Sequence, residues 1–226
     1  NAEGVGSVAT YPFGRGGFEV SKLEEATAKR YLPATELSKL KSTTASNPQC
    51  EYARKLFLFS YYCYGISFID MAMLTTAHIK QMEDGDYIVY KRQKIKRQKG
   101  VKPISIKITP AIRQLIGSLQ AASPTVDDFL LPIVTRSGYT GERLYMHIRT
   151  RYSKYQKYLR LLAEELGIDF HLTSYVSRHT AAMTLQRNHI PREVISQMLG
   201  HADLETTNIY LDSFDNEVIN EAAKVL

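Results

Sequence analysis

Apolar residues fall at helical spacing through most of the chain and alternate in only two short stretches, so the pattern predicts a mainly helical domain with one small sheet. Leu32-Pro33-Ala34-Thr35 leads into a short helix through Leu37 and Leu40. A stronger helix, about Glu51 to Cys63, carries Tyr52, Leu56, Phe59 and Cys63 on one face and is broken by Gly65. Ser67-Phe68-Ile69-Asp70 has the form of a capping box, a side-chain acceptor followed three residues later by a carboxylate, and starts a helix to about Leu74. Asp86 to Tyr90 and Ile104 to Ile108 read as strands, with a hairpin between them. Thr109-Pro110 opens a further helix to about Gln120. A long amphipathic one, about Leu144 to Leu166, turns Leu159, Leu162, Ala163 and Leu166 inward and ends at Gly167. Helices near Ser174 to Gln186 and Pro191 to Leu199 follow, the last with Pro191 at its start and Gly200 just past its end. The predicted class is α+β, mainly α, with a small antiparallel sheet.

Residues 1–20 hold Gly4, Gly6, Pro12, Gly14, Gly16 and Gly17 and have no apolar period, which reads as a linker or arm from a preceding domain; residues 21–226 read as the domain proper. The first residue is Asn1, and the chain reads as a piece of a longer soluble protein. The longest uncharged apolar run, Leu56 to Ile69, is shorter than the ~20 residues of a membrane span. Cys50 and Cys63 match no zinc or redox spacing and are too few to staple a secreted fold, so a reducing cytoplasm is favoured; no metal and no cofactor is expected.

Charge sharpens the picture by its placement. The net charge is +6, yet no Asp or Glu lies between Tyr87 and Val126, where Lys91, Arg92, Lys94, Lys96, Arg97, Lys99, Lys102, Lys107 and Arg113 are concentrated. Such a block suits a polyanion, most simply nucleic acid, and equally suits a solvated hairpin face. Arg149, Arg151, Lys154, Lys157 and Arg160 form a second basic band on the long helix.

Three segments of the last third combine into something more specific: Arg178-His179-Thr180, Leu199-Gly200-His201, and Thr206-Thr207-Asn208-Ile209-Tyr210. Singly, Arg178 reads as a surface cation, His201 as a histidine favoured by a helix C-terminus and Tyr210 as a packing residue. Together, from Leu199 to Tyr210 with Arg178-His179 before them, they resemble the C-terminal signature of the tyrosine recombinase (phage integrase) family, and the resemblance covers the chain after about Lys29. It implies Tyr210 as nucleophile, Arg178 and His201 as phosphate ligands, and Lys94 of Arg92-Gln93-Lys94 as the lysine on the hairpin. Arg92, Lys96, Arg97, Lys99 and Lys102 are then the DNA-contacting residues.

Two positions depart from the family's pattern. Its first arginine is replaced by Ser67, and its His-x-x-Arg reads Tyr175-Val176-Ser177-Arg178. Both changes resemble a branch found in integrative mobile elements and invertible DNA switches. Ser67 carries no charge, so Arg54 or a cation of the Lys91 to Arg97 hairpin is expected to compensate, or cleavage to be slower; Ser67 also reads as a helix N-cap and Tyr175 as a packed ring.

The function implied is a site-specific recombinase acting in the cytoplasm, at the nucleoid. It would cleave and rejoin double-stranded DNA at its own site through a 3′-phosphotyrosine, for integration, excision or inversion. The resemblance further implies a tetramer on two sites, accessory DNA-bending proteins, and a C-terminal tail, 213–226, that packs on a neighbouring protomer. The alternatives are a recombinase-derived DNA-binding accessory protein and, less simply, a type IB topoisomerase.

Overall fold

The computed structural model describes residues 31–96, 99–201 and 207. Among them are seven α-helices and one three-stranded sheet: α1 (Ala34–Ser42), α2 (Pro48–Tyr62), α3 (Phe68–Ala72), β1 (Ile79–Met82), β2 (Gly85–Tyr90), β3 (Ile104–Lys107), α4 (Pro110–Ala122), α5 (Gly141–Glu165), α6 (Val176–Arg187) and α7 (Arg192–Leu199). The mainly helical class with a small antiparallel sheet is as the apolar pattern predicts. None of these helices is long and apolar enough to cross a membrane.

Helix α2 is the spine of the core. It packs against α1, α4, α5 and α6, which is why Cys50, Ala53, Leu56, Phe57, Leu58 and Phe59 are all buried and its apolar positions run almost all the way round. It starts three residues earlier than the apolar period suggests. Asn47 caps it, with Oδ1 accepting from Gln49 N (2.8 Å), and Pro48 occupies the first turn, where a missing N–H costs nothing. Helix α5 likewise begins at Gly141, before its first inward-facing residue.

The sheet runs β1-β2-β3, antiparallel throughout, with Ile88 opposite both Ile79 and Ile106. Strand β1 is absent from the sequence-based expectation: Ile79-Lys80-Gln81-Met82 is an edge strand whose last three residues are exposed, so it has no alternating apolar face to betray it. Ile88, Tyr90, Ile104 and Ile106 close the sheet onto the main core, and β3 packs against α7. A smaller apolar cluster, Ala182, Met183, Ile195 and Leu199, joins α6 to α7, with Tyr31 against it. Leu32 N–H donates to Thr180 Oγ1 (3.0 Å), fastening the entering chain across α6.

Candidate active site

The site forms where α3, the segment after β2, α5, α6 and the end of α7 converge around Arg178. Arg178 lies in the first turn of α6 and is 4% exposed. Its fork is held from two sides: Nη1 donates to Gly65 O (3.1 Å), and Nη2 donates to Leu199 O (2.6 Å) and to His201 Nε2 (2.8 Å). A guanidinium only donates, so Nε2 of His201 accepts and the imidazole proton sits on Nδ1, which faces Thr207 Oγ1 at 2.7 Å. Burial, and next the charge of Arg92, lower the Arg178 pKa to about 10. The guanidinium therefore remains charged at neutral pH in surroundings that disfavour the charge, a state that an incoming anion relieves.

Two glycines make this geometry possible. Gly65 follows Tyr64 in a pair of left-handed residues (φ +57 and +72), and its N–H returns to Ser60 O (2.7 Å). A Cβ at Gly65 would lie 2.4 Å from Arg178 Cα, so only glycine lets α6 come this close. Gly200, at φ +64, ends α7 in a Schellman motif: its N–H returns to Gln197 O (3.0 Å) and that of His201 to Ser196 O (3.0 Å). That reversal aims His201 at Arg178. A Cβ there would meet Ile104 at 2.4 Å and Arg92 Cδ at 3.3 Å. Behind the arginine, Ser60 Oγ donates to Ile66 O (2.8 Å) and lies 2.8 Å from Ser177 Oγ, tying α2, α6 and the Gly65 loop together.

Ser67 is the N-cap of α3. Its Oγ accepts from Asp70 N (3.2 Å) and gives its proton to Asp70 Oδ2 (2.6 Å). The other carboxylate oxygen, Oδ1, accepts from Gln93 N (2.7 Å), so buried Asp70 joins the cap of α3 to the Arg92-Gln93-Lys94 segment. Arg92 is anchored beside it, Nη1 donating to Gly200 O (3.2 Å). Tyr175 is 49% exposed, its ring edge-on to His179 with centroids 4.9 Å apart, so it is not a ring packed in the core.

A cleft of about 420 Å³ opens over Arg178, with Ser67, Phe68, Arg92, Arg149, Tyr152 and Tyr175 among its walls. Of the residues anticipated from sequence, the fold thus brings Ser67, Arg92, Tyr175 and Arg178 to one cavity and places His201 on the arginine's fork. Lys94 is exposed on the turn beyond Arg92 and does not line the cleft. Lys96, Lys99 and Lys102 are exposed along the same connection. Tyr210, Arg97 and the tail 213–226 lie outside the described residues.

Arg54 does not take up the charge absent at Ser67. Its Nε and Nη2 bind the Glu51 carboxylate (2.7 and 2.8 Å) and Nη1 binds Leu40 O (2.6 Å), a structural clamp between α1 and α2. Sequence reasoning gives no site role to Gly65, the wall residue Tyr152 or the histidine partner Thr207. Thr207 has a visible signal in its place inside the segment that ends at Tyr210, and Gly65 in the helix break it makes just before Ser67.

Comparison with known proteins places the sequence and the fold. A stretch of 114 residues, 50% of the chain, is 31% identical to tyrosine recombinase XerC of Rhodospirillum centenum and covers 31% of that protein. A shorter one of 54 residues, 24% of the chain, is 43% identical to tyrosine recombinase XerD of Halalkalibacterium halodurans and covers 18% of it. The chain's matches thus span less than a third of these two relatives' length. In fold, XerA recombinase superposes with a TM-score of 0.59 at 22% identity over 86% of this chain and 64% of that one. The Tn1549 transposon integrase, solved in complex with transposon right end DNA, does so with a TM-score of 0.60 at 14% identity over 92% of this chain and 70% of that one. The profile of the phage integrase family matches residues 30–217, and the chain belongs to that family.

Proposed function

We propose that the chain is the catalytic domain of a site-specific DNA recombinase that cleaves one strand at a time through a 3′-phosphotyrosine on Tyr210. The observation that carries this reading is the buried Arg178 at the foot of an open cleft, joined to His201 and lying close enough to Arg92 for the two charges to oppose each other. Two guanidiniums held near each other at a cavity wall form a receptor for an oxyanion. Two solved proteins of the same fold support DNA as the source of that oxyanion: the XerH site-specific recombinase is bound to a difH substrate, and the Tn1549 integrase is in complex with transposon right end DNA.

The chemistry follows from the residue types. The Tyr210 oxygen attacks the scissile phosphorus and loses its proton to solvent as the O–P bond forms. The bond to the 5′-oxygen breaks, and the leaving alkoxide takes a proton from Lys94 on its exposed turn. The ester formed conserves the bond energy, so a 5′-hydroxyl from the same or a partner strand reseals the backbone by the reverse step, with no ATP. Arg178 holds non-bridging oxygens and stabilises the charge that grows on them. A phosphate accepting from Nη2 also frees His201 Nε2 from Arg178; with the ring proton moved from Nδ1 to Nε2, and Nδ1 then accepting from the Thr207 hydroxyl, His201 donates to the same phosphate. Lys96, Arg97, Lys99 and Lys102 grip flanking phosphates, and four protomers assemble on two sites, with the tail 213–226 docking on a neighbour.

Covalent capture tests the proposal: the protein is incubated with fragmented DNA of its host, and the DNA that resists denaturing extraction is sequenced. Discrete sites retained by the unsubstituted protein and lost with Tyr210→Phe are expected. The Ser67 hydroxyl, committed to Asp70, favours one competing reading, a recombinase-derived DNA-binding protein without cleavage. Sequence-specific binding with no adduct would establish that instead.

A further inference from the structure

Three arginines face the cleft, from three different elements: Arg178 on α6, Arg92 after β2, and Arg149 on α5. The first two also hold the protein together, through Gly65 O, Leu199 O and His201 for Arg178 and Gly200 O for Arg92. The Arg149 side chain is exposed and makes no hydrogen bond or ion pair among the described residues. No Asp or Glu is among the described residues lining the cleft. The nearby buried carboxylate, Asp70, has both oxygens taken, by Ser67 and by Gln93 N. A third guanidinium is thus placed at a cavity that already repels cations.

Its base is fixed although its arm is free. Arg149 is one turn from Tyr152 and one from Tyr145, so the three residues make a single stripe along the cleft wall. Tyr152 is locked: its hydroxyl lies 3.1 Å from Ser174 Oγ and accepts from Gln156 Nε2 (3.1 Å), and its ring is 5.3 Å from that of Phe68. Phe68 directly follows Ser67. The stripe of α5 is therefore clamped against the first turn of α3, where the neutral Ser67 sits with its hydroxyl proton turned to Asp70.

We propose that Arg149 reaches across the cleft from α5 to bind the scissile phosphodiester, supplying from the opposite wall the positive charge that Ser67 does not carry. This rests on the reading of the cleft as a phosphodiester-cleaving site. The Arg178 and Arg92 heads are both anchored at the end of α7, on Leu199 O and Gly200 O, so a phosphate held by those two alone has no cation from the α5 wall, where Arg149 sits. A guanidinium there completes the clamp, and its planar fork, rather than charge alone, matches two oxygens.

The test is single-turnover cleavage of a nicked duplex carrying a site identified by covalent capture, with the unsubstituted protein, Arg149→Ala, Arg149→Lys and, as a control on the same helix outside the cleft, Arg160→Ala. Arg149→Ala is expected to cleave about 10²-fold more slowly, as for loss of one donor to a developing oxyanion, with thermal melting unchanged because the side chain is exposed. Arg149→Lys recovers only part of the rate, and Arg160→Ala shows none of the defect. The decisive arm replaces the scissile phosphate by a methylphosphonate, which removes the anionic oxygen that a third cation would neutralise. On that duplex Arg149→Ala should cleave nearly as fast as the unsubstituted protein. Equal slowing on both duplexes, or a loss of DNA affinity that accounts for all of the slowing, would assign Arg149 to a flanking phosphate and overturn the proposal. Were the unsubstituted protein to form no adduct at all, the cleavage reading itself would fail.

Discussion

Single residues decide whether this site exists. Gly65→Ala and Gly200→Ala each combine a left-handed backbone with a Cβ 2.4 Å from a neighbour, whereas Gly138 has the same backbone (φ +73) with nothing within 4 Å. The conformational part alone costs about 1–3 kcal/mol and is all that Gly138→Ala should lose in a denaturant melt. Gly65→Ala should lose clearly more, because the atom it meets is Arg178 Cα and backbone cannot step aside. Equal losses at the two positions would show that α6 can draw back from Gly65. Ser67 is read by a different experiment. Its capping bond predicts about 1 kcal/mol of lost stability in Ser67→Ala, and its tie to Asp70 predicts that Ser67→Asp, which sets two carboxylates side by side, destabilises more strongly at pH 7 than at pH 4. The cap is legible in the sequence, from a hydroxyl and a carboxylate three residues apart. The clamp on Arg178 is not, since Gly65 and Arg178 are 113 positions apart and nothing local in either segment records their approach.

Among the elements, the hairpin after β2 and the long helix α5 carry the distinct predictions. Neutralising Lys96, Arg97, Lys99 and Lys102 together should weaken binding to unrelated DNA and flatten its salt dependence, by roughly 0.9 in logarithmic slope for each phosphate no longer neutralised. An unchanged slope would leave the hairpin as a solvated face. Helix α5 anchors the segment before it through His147, whose Nε2 accepts from Thr135 N (3.2 Å) and whose ring meets Tyr139 edge-on. Burial, and then the charges of Arg151, Arg136 and Lys154, hold the His147 pKa below its ordinary value of 6.5. The unfolded chain therefore takes up this proton first as pH falls. The stabilisation from this hydrogen bond is full above pH 6.5 and declines progressively from there down through the lower folded value. Amide exchange at Thr135 and Tyr139 should accelerate as pH falls from neutral through the ordinary histidine range, relative to amides elsewhere, and His147→Gln, which keeps an acceptor but cannot titrate, should remove the pH dependence. Element type is readable wherever an apolar face persists, as in α2 and α5. It is not at β1, whose outward residues leave no alternation, nor at the start of α2, where the Asn47-Pro48 cap precedes the first core residue.

At the scale of the whole molecule, the fold gathers into one cleft groups that the chain keeps far apart: Ser67, Arg92, Arg149 and Arg178. The resemblance to the tyrosine recombinase family points to all of these positions except Arg149 as part of one site, while the charge pattern shows Arg149 only as one member of a basic band, because which face of α5 meets α3 depends on the Phe68 and Tyr152 packing. The charge arrangement also predicts behaviour without DNA. Arg178 is disfavoured as a cation by burial and by Arg92, so anion binding should stabilise the protein: sulfate should raise the melting temperature more than chloride at equal ionic strength, and the difference should shrink in Arg92→Gln. The central claim, that these cations serve a covalent exchange at Tyr210, is tested most directly by digesting the captured protein–DNA adduct and sequencing the nucleotide-bearing peptide by mass spectrometry. A 3′-phosphate esterified to the Tyr210 oxygen, and no adduct from Tyr210→Phe, is the predicted result. An adduct mapped to any other residue, or one that persists in Tyr210→Phe, would contradict it.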